Sequence, residues 1–316
     1  MLRPETGREP AQSSGATGAE NDAASIDRDD PVALQVCRVV QDDLRAAQLE
    51  IPRLPHVAAP ILEILSNPNI SNQEVLRIVR MDPVLSGRIM ERANSAVFAG
   101  SQSVTSLSTA ILRLGLLRVS EIALELSSEM KVYHGRKRGT LLERLWKFSL
   151  GTALACESLA QVSVREARDV AFLTGLFHAV ASPAIVTAIG RLERKIPAIP
   201  PQMEDRVLGL MNLLSTDLTV QILNSWFLPK EIQTAVRLQN GSVRERKGIP
   251  LAHLLVCGKL LATELGLGTS PKPINLETSK DFWHLRLDDR EVLDHVSRLV
   301  LTGMESTPKT PHSVLE

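Results

Sequence analysis

TSLSTAILRLGLLRVSEIAL, residues 105–124, settles the class of fold. Leu107, Ala110, Ile111 and Leu114 recur at i, i+3, i+4 and i+7, and Val119, Ile122, Ala123 and Leu126 repeat that spacing beyond Gly115. Each set draws one apolar stripe along a helix, because a turn takes about 3.6 residues. The spacing predicts two amphipathic helices joined at a glycine. Thr105 or Ser106 can cap the first helix, and Gly115 can take the left-handed conformation that closes it. On the second helix Arg118, Ser120, Glu121 and Glu125 face outward. Two acids there would repel phosphate, so the pair reads as a helical corner rather than a DNA-reading helix-turn-helix.

Outward from this corner the same periodicity runs from residue 31 to about 303, with no sustained alternation of period two, and the predicted class is all-α. Residues 57–65, 73–80 and 83–93 read as helices, with Asn67, Pro68 and Asn69 as a turn and Asp82 before Pro83 as cap and first residue. YHGRKRG, 133–139, reads as a loop dividing a front subdomain, 31–132, from a back one, 133–270. The stretch 141–159 is apolar on nearly every face, which predicts the central helix. IPAIPPQ, 196–202, reads as a second joint. SPKPIN, 270–275, opens a linker and a last helix over 288–302, within a segment 271–303. Residues 1–30 and 304–316 lack the apolar content for packing and read as tails.

Composition narrows the function classes. The 316 residues carry 36 basic and 36 acidic side chains, so no global field draws the chain to nucleic acid or an anionic membrane. Aromatic content of 3% gives few platforms for stacked bases. Cys37, Cys156 and Cys257 form no CxxC pair and read as reduced, partly buried thiols, which fits a cytoplasmic setting. Residues 170–190 are uncharged over about a membrane-span length. His178, Ser182 and Pro183 interrupt them, however, and serine before proline is a helix start, so two short buried helices and no membrane are expected.

Several stretches taken in order resemble the HDOD family, a helical signalling module related to HD-domain phosphohydrolases. They are IPRLPHV at 51–57, DPVLSGRI at 82–89, ANSAVF at 93–98, TSLSTAILRLG at 105–115, LTGLFHAV at 173–180 and SWFLPKEIQTAV at 225–236. The resemblance covers about residues 34–268. Asp82, Pro83, Asn94, Ser95, Ser106 and Gly115 carry its signature. Physically they are caps and turn formers first, while the loop 94–100 is the candidate partner-facing surface.

The resemblance also implies where a metal-binding phosphohydrolase site would stand. A histidine of the central helix is replaced by Phe148, the His-Asp pair by His178 and Ala179, a later histidine pair by Gln239 and Asn240, and a closing aspartate by Lys259. One imidazole cannot hold a catalytic dication, which takes three or more protein ligands. A lone histidine on an apolar helix is also most often a hydrogen-bonded core residue. The expectation is therefore a bundle of the HDOD type in two helical subdomains, without metal, cofactor or catalysis. It would act in bacterial signal transduction, in pathways tied to cyclic-di-GMP, by binding signalling proteins. One alternative is a divergent phosphohydrolase recruiting Asp169, Glu157 or Asp217 beside His178. The other is a binder of a cyclic dinucleotide, or less readily of nucleic acid, through two basic loops: Arg136, Lys137 and Arg138, with Arg244, Arg246 and Lys247. Solvated loop charge is the plainer account of both loops.

Overall fold

The computed structural model describes residues 31–46, 51, 67, 69–98, 100, 102–128, 136–193, 203–268, 276, 279–287 and 289–306. Among them there are helices and turns and no strand, the all-α class that the periodicity predicts. The expected helix at 57–65, the joint at 196–202, the linker start at 270–275 and the tail 1–30 lie outside the described residues.

The elements in order are α1 (Pro31–Arg45), α2 (Asn72–Met81), α3 (Pro83–Asn94), α4 (Leu107–Ser128), α5 (Arg136–Ser163), α6 (Arg168–Phe177), α7 (Ser182–Glu193), α8 (Met203–Ser225), α9 (Lys230–Arg237), α10 (Pro250–Glu264), α11 (Lys280–His284) and α12 (Arg290–Glu305). A 3₁₀ turn, Arg165–Ala167, leads into α6.

Local chemistry sets the boundaries. Ser71 and Glu74 form a reciprocal capping box at the start of α2. Asp82 accepts from the amides of Val84 and Leu85 and Pro83 follows it, so α3 begins where cap and proline agree. Ser106, rather than Thr105, caps α4 by accepting from the Thr109 amide at 3.2 Å. Gly115 turns the corner at φ 75° and ψ 158°. This is positive-φ backbone with an extended ψ, not the left-handed helical value expected from sequence, and a side chain reaches that region only under strain.

Of the stretch 133–139 read as a loop, residues 136–139 are helical and 133–135 lie outside the described residues. α5 already starts at Arg136, because lysine and arginine are good helix formers and carry a helix through the single Gly139. The last helix likewise runs on to Glu305. A five-residue helix, α11, stands inside the segment read as linker.

The central helix is α5, packed by α6, α10 and α12. Leu142, Leu145, Ala153, Ala155, Cys156 and Leu159 are all buried on it, which uses several faces at once. Two crossings have no room for a side chain. A Cβ at Gly175 of α6 would stand 2.6 Å from Ala153 Cα, and one at Gly258 of α10 would stand 2.4 Å from Cys156 Sγ. Backbones approach this closely only over glycine. Trp146 of α5 donates its indole hydrogen to the Met81 carbonyl at 2.8 Å, and Arg80 pairs with Glu157 and lies 3.7 Å over the Phe172 ring. These contacts dock the end of α2 onto the central layer.

The uncharged stretch 170–190 divides as expected into α6 and α7 around the turn 178–181. By length and composition Arg165–Leu192 is apolar enough to cross a membrane, and 83% of its most apolar window is buried inside the fold.

Candidate functional site

α6 ends at Phe177 and α7 starts at Ser182, so the tight turn between them fixes His178 in the interior, 2% exposed. Its Nδ1 lies 2.7 Å from the Gly175 carbonyl oxygen, an acceptor only, so Nδ1 carries the hydrogen and donates. Nε2 then presents a lone pair, buried and without a hydrogen-bond partner. Phe148 of α5 meets the imidazole edge-on, with ring centroids 5.1 Å apart. Burial lowers the pKa of His178 from 6.5 to about 3; the nearby Lys259 ammonium pushes the same way, and the Gly175 carbonyl opposes them.

Lys259 reaches this turn from α10. Its Nζ donates to Gln239 Oε1 at 2.9 Å and to Asn240 Oδ1 at 3.4 Å. Gln239 in turn donates to the His178 carbonyl at 3.1 Å and to Thr216 Oγ1 at 3.4 Å, and Asn240 donates to the same hydroxyl at 3.0 Å. Burial lowers the pKa of Lys259 to about 8, helped by the charge of Arg246 and opposed by Cys156. Phe148, His178, Ala179, Gln239, Asn240 and Lys259, scattered over 112 positions of sequence, therefore share one place. Thr216, which links the two amides, has no signature that sequence reading could have used.

These residues do not fit a divalent metal. Such an ion needs several lone-pair donors at once. Here one imidazole nitrogen is available, Ala179 offers a methyl group, and the amide oxygens of Gln239 and Asn240 already receive an ammonium. Among the described residues no three His, Cys, Asp or Glu side chains gather as a metal cluster. Glu157, one of the carboxylates considered for a divergent site, is held by Arg80 and Arg168. Asp169 and Asp217 are exposed.

The signature residues hold turns. Asn94 accepts from the Val104 amide at 2.7 Å and donates to its carbonyl at 3.1 Å, closing the loop between α3 and α4, while the Ser95 hydroxyl donates to the Arg92 carbonyl. Gly87 and Trp226, from two different signature stretches, are so closely packed that a Cβ on Gly87 would meet the indole at 2.3 Å.

Beside this loop runs a groove of about 430 Å³ between α3 and α4, with Val97, Phe98, Ile122 and Phe227 as its apolar surface and Arg88, Glu91, Arg92, Arg118, Glu121 and Glu125 around them. The charges pair among themselves, Arg88 with Glu91, Arg92 with Glu125 and Arg118 with Glu121. Val97 is 85% and Phe227 59% exposed. Phe227 sits at φ 53°, just past the end of α8, where Leu228 donates to the Leu223 carbonyl and Phe227 to that of Asn224. This is a Schellman ending, whose left-handed position glycine usually fills, as Gly266 does after α10. An exposed phenylalanine held there at a conformational cost was not foreseen from sequence.

The two basic stretches fare differently. Arg136, Lys137 and Arg138 stand on the first turn of α5, and their side chains lie outside the described residues. Arg244 and Lys247 are exposed on the turn 243–248. Arg246, considered both as an anion contact and as solvated loop charge, is neither exposed nor solvated. It is 4% exposed and grips Asp281 with Nε and Nη2 at 2.9 and 3.0 Å, while Nη1 donates to the Leu238 and Gly241 carbonyls. Its partner lies 35 residues ahead, so no local pattern announces the pair.

Set beside known proteins, residues 51–242 match the HDOD domain family. A curated relative from Treponema pallidum (strain Nichols), an uncharacterized protein, is 19% identical over 198 residues, which is 60% of this chain and 38% of the relative. The chain thus spans about two fifths of that relative's length. Among solved structures, the MmoQ response regulator from Methylococcus capsulatus str. Bath superposes with a TM-score of 0.61 at 23% identity, covering 79% of this chain and 98% of that one. A fragment of the same regulator, residues 20–298, gives 0.55 at 21% identity, with 84% and 94% covered. At these identities the likeness is one of fold.

Proposed function

Because the chain belongs to the HDOD domain family, we propose that it is a non-enzymatic regulator of bacterial signal transduction that works by binding partner proteins. The observation carrying this reading is the Lys259 ammonium, hydrogen-bonded to Gln239 and Asn240 beside the buried imidazole of His178. A fixed positive charge at this place repels a dication and occupies the oxygens nearest to hand. The scaffold then keeps its shape through an internal cation. The solved relatives described as a response regulator support a signalling setting, and pathways tied to cyclic-di-GMP in the cytoplasm are the setting this proposal favours.

The groove beside the loop 94–100 is the surface assigned to the partner. Val97 and Phe227 offer exposed apolar area there, and self-paired charges rim it, the pattern of an anchor surrounded by a polar rim.

Elemental analysis of the purified full chain and hydrolysis assays on phosphodiesters and phosphomonoesters with manganese or iron test the reading. The expected result is substoichiometric metal and no turnover in wild type. Stoichiometric metal with hydrolysis that disappears in His178→Ala would overturn it.

A further inference from the structure

Asp281 of α11 is 3% exposed and lies at the centre of a charged clasp. Arg246 grips both its oxygens, and His253 of α10 places Nδ1 2.6 Å from Oδ1. The His253 ring meets that of His284 at 5.0 Å, and His284 meets Trp283 edge-on at 5.3 Å. An unbroken chain of contacts thus joins the turn 243–248 to α11 and ends in an indole that is 67% exposed.

Four exposed cations neighbour this clasp in sequence: Arg244 and Lys247 on either side of Arg246, Lys280 at the start of α11 and Arg286 just past its end. Of the acids close by, Asp281 is neutralised by Arg246; Glu245, which accepts from the Ser242 amide and hydroxyl, stays anionic and offsets part of the charge of Arg244 and Lys247, and Asp289 caps α12 by accepting from the Glu291 amide. Arg286 itself stands at φ 57°, with Leu287 donating to Phe282 and Arg286 to Trp283, a second Schellman ending without its usual glycine. An arginine kept in a left-handed position next to an exposed tryptophan is strain retained at a surface that combines charge with an open aromatic face.

We propose that this surface is a site for a nucleoside phosphate, the base stacked on Trp283 and the phosphate held by Arg244, Lys247 and Arg286. Guanidinium groups match phosphate oxygens in pairs, and an indole face accepts any base. Neither half suffices alone. The Arg246–Asp281 pair holds the turn 243–248 against α11, so the two halves sit on neighbouring elements. A patch with one aromatic platform suits one or two nucleotides, whether free or at the end of a single strand. The site shares no residue with the groove or with the Lys259 cluster.

Tryptophan emission gives a direct reading, since Trp226 is buried, Trp146 is half-buried and donates to Met81, and Trp283 is the exposed one of the three. The full chain is titrated with guanosine triphosphate, a cyclic guanine dinucleotide and a ten-nucleotide single strand, and calorimetry follows each. Quenching by at least one probe is expected. Trp283→Ala should weaken binding by about tenfold or more and Trp283→Phe should largely keep it, because stacking needs only a ring. Charge reversal of Arg244 and Lys247 should weaken binding by a similar factor and flatten its salt dependence. The tightest probe tells a free nucleotide from a strand. No quenching by any of the three, or binding unchanged in the reversed variant, overturns the proposal.

Discussion

The surroundings of His178 accept only the neutral imidazole, because the ring is buried, Nε2 meets no acceptor and Lys259 is close by. Its pKa falls from 6.5 to about 3 on folding, so between these values the unfolded chain binds a proton that the folded one refuses. Stability must then rise with pH across this window and fall as the solution is acidified through 6.5, by about 1.4 kcal/mol per unit. Asparagine at 178 can keep a donor towards the Gly175 carbonyl without titrating. Urea midpoints at pH 6.5 and 5.0 should show wild type losing about 2 kcal/mol more than His178→Asn; equal losses would mean that the ring takes up its proton in the fold. His178 and its degenerate neighbours were legible in sequence because the family resemblance supplied their positions. Thr216, which ties Gln239 to Asn240, was not, since a threonine inside a helix has many ordinary uses.

Helix endings separate what a local reading can reach from what it cannot. The caps at Asp82 and Ser106 and the Asn94 turn were readable, since each is made by a polar side chain bonding backbone within three to ten residues. α11 was not, because five residues give no periodicity to detect. Phe227 and Arg286 were hidden for the opposite reason, as a large residue stands where glycine signals an ending. The two kinds of positive-φ site respond oppositely to substitution. Gly115→Ala has open space for its Cβ but strains a backbone at φ 75° and ψ 158°, and should cost about 1–3 kcal/mol. Phe227→Gly relieves a left-handed phenylalanine and should stabilise by about 1 kcal/mol while weakening capture of a partner at the groove. Thermal midpoints of the two variants should move in opposite directions. A lowered midpoint in Phe227→Gly would show that its ring supports the fold rather than the surface.

The family match stops at residue 242, but the packed body does not. Beyond it, α10 lies against α5 across Gly258 with no space for a side chain, and Gly303 of α12 faces Leu154 of the same helix. Arg246, His253 and Asp281, which fasten the turn 243–248, α10 and α11 together, all fall past the matched stretch. If this segment is integral to the molecule, the clasp is a buried charge pair whose single removal is far costlier than its joint replacement. Arg246→Met leaves the Asp281 carboxylate buried with His253 alone and should lower stability by about 3–5 kcal/mol. Changing Asp281→Leu in the same chain removes the stranded charge and should recover a large part of that loss. Guanidinium-induced unfolding of the two variants and wild type, followed by circular dichroism, measures both steps. The expected curves keep one transition, because α5, α6 and α10 share buried side chains and cannot melt separately. A loss in Arg246→Met no larger than that of a surface substitution, about 0.5 kcal/mol, would mean that residues 243–306 ride on the bundle without holding it.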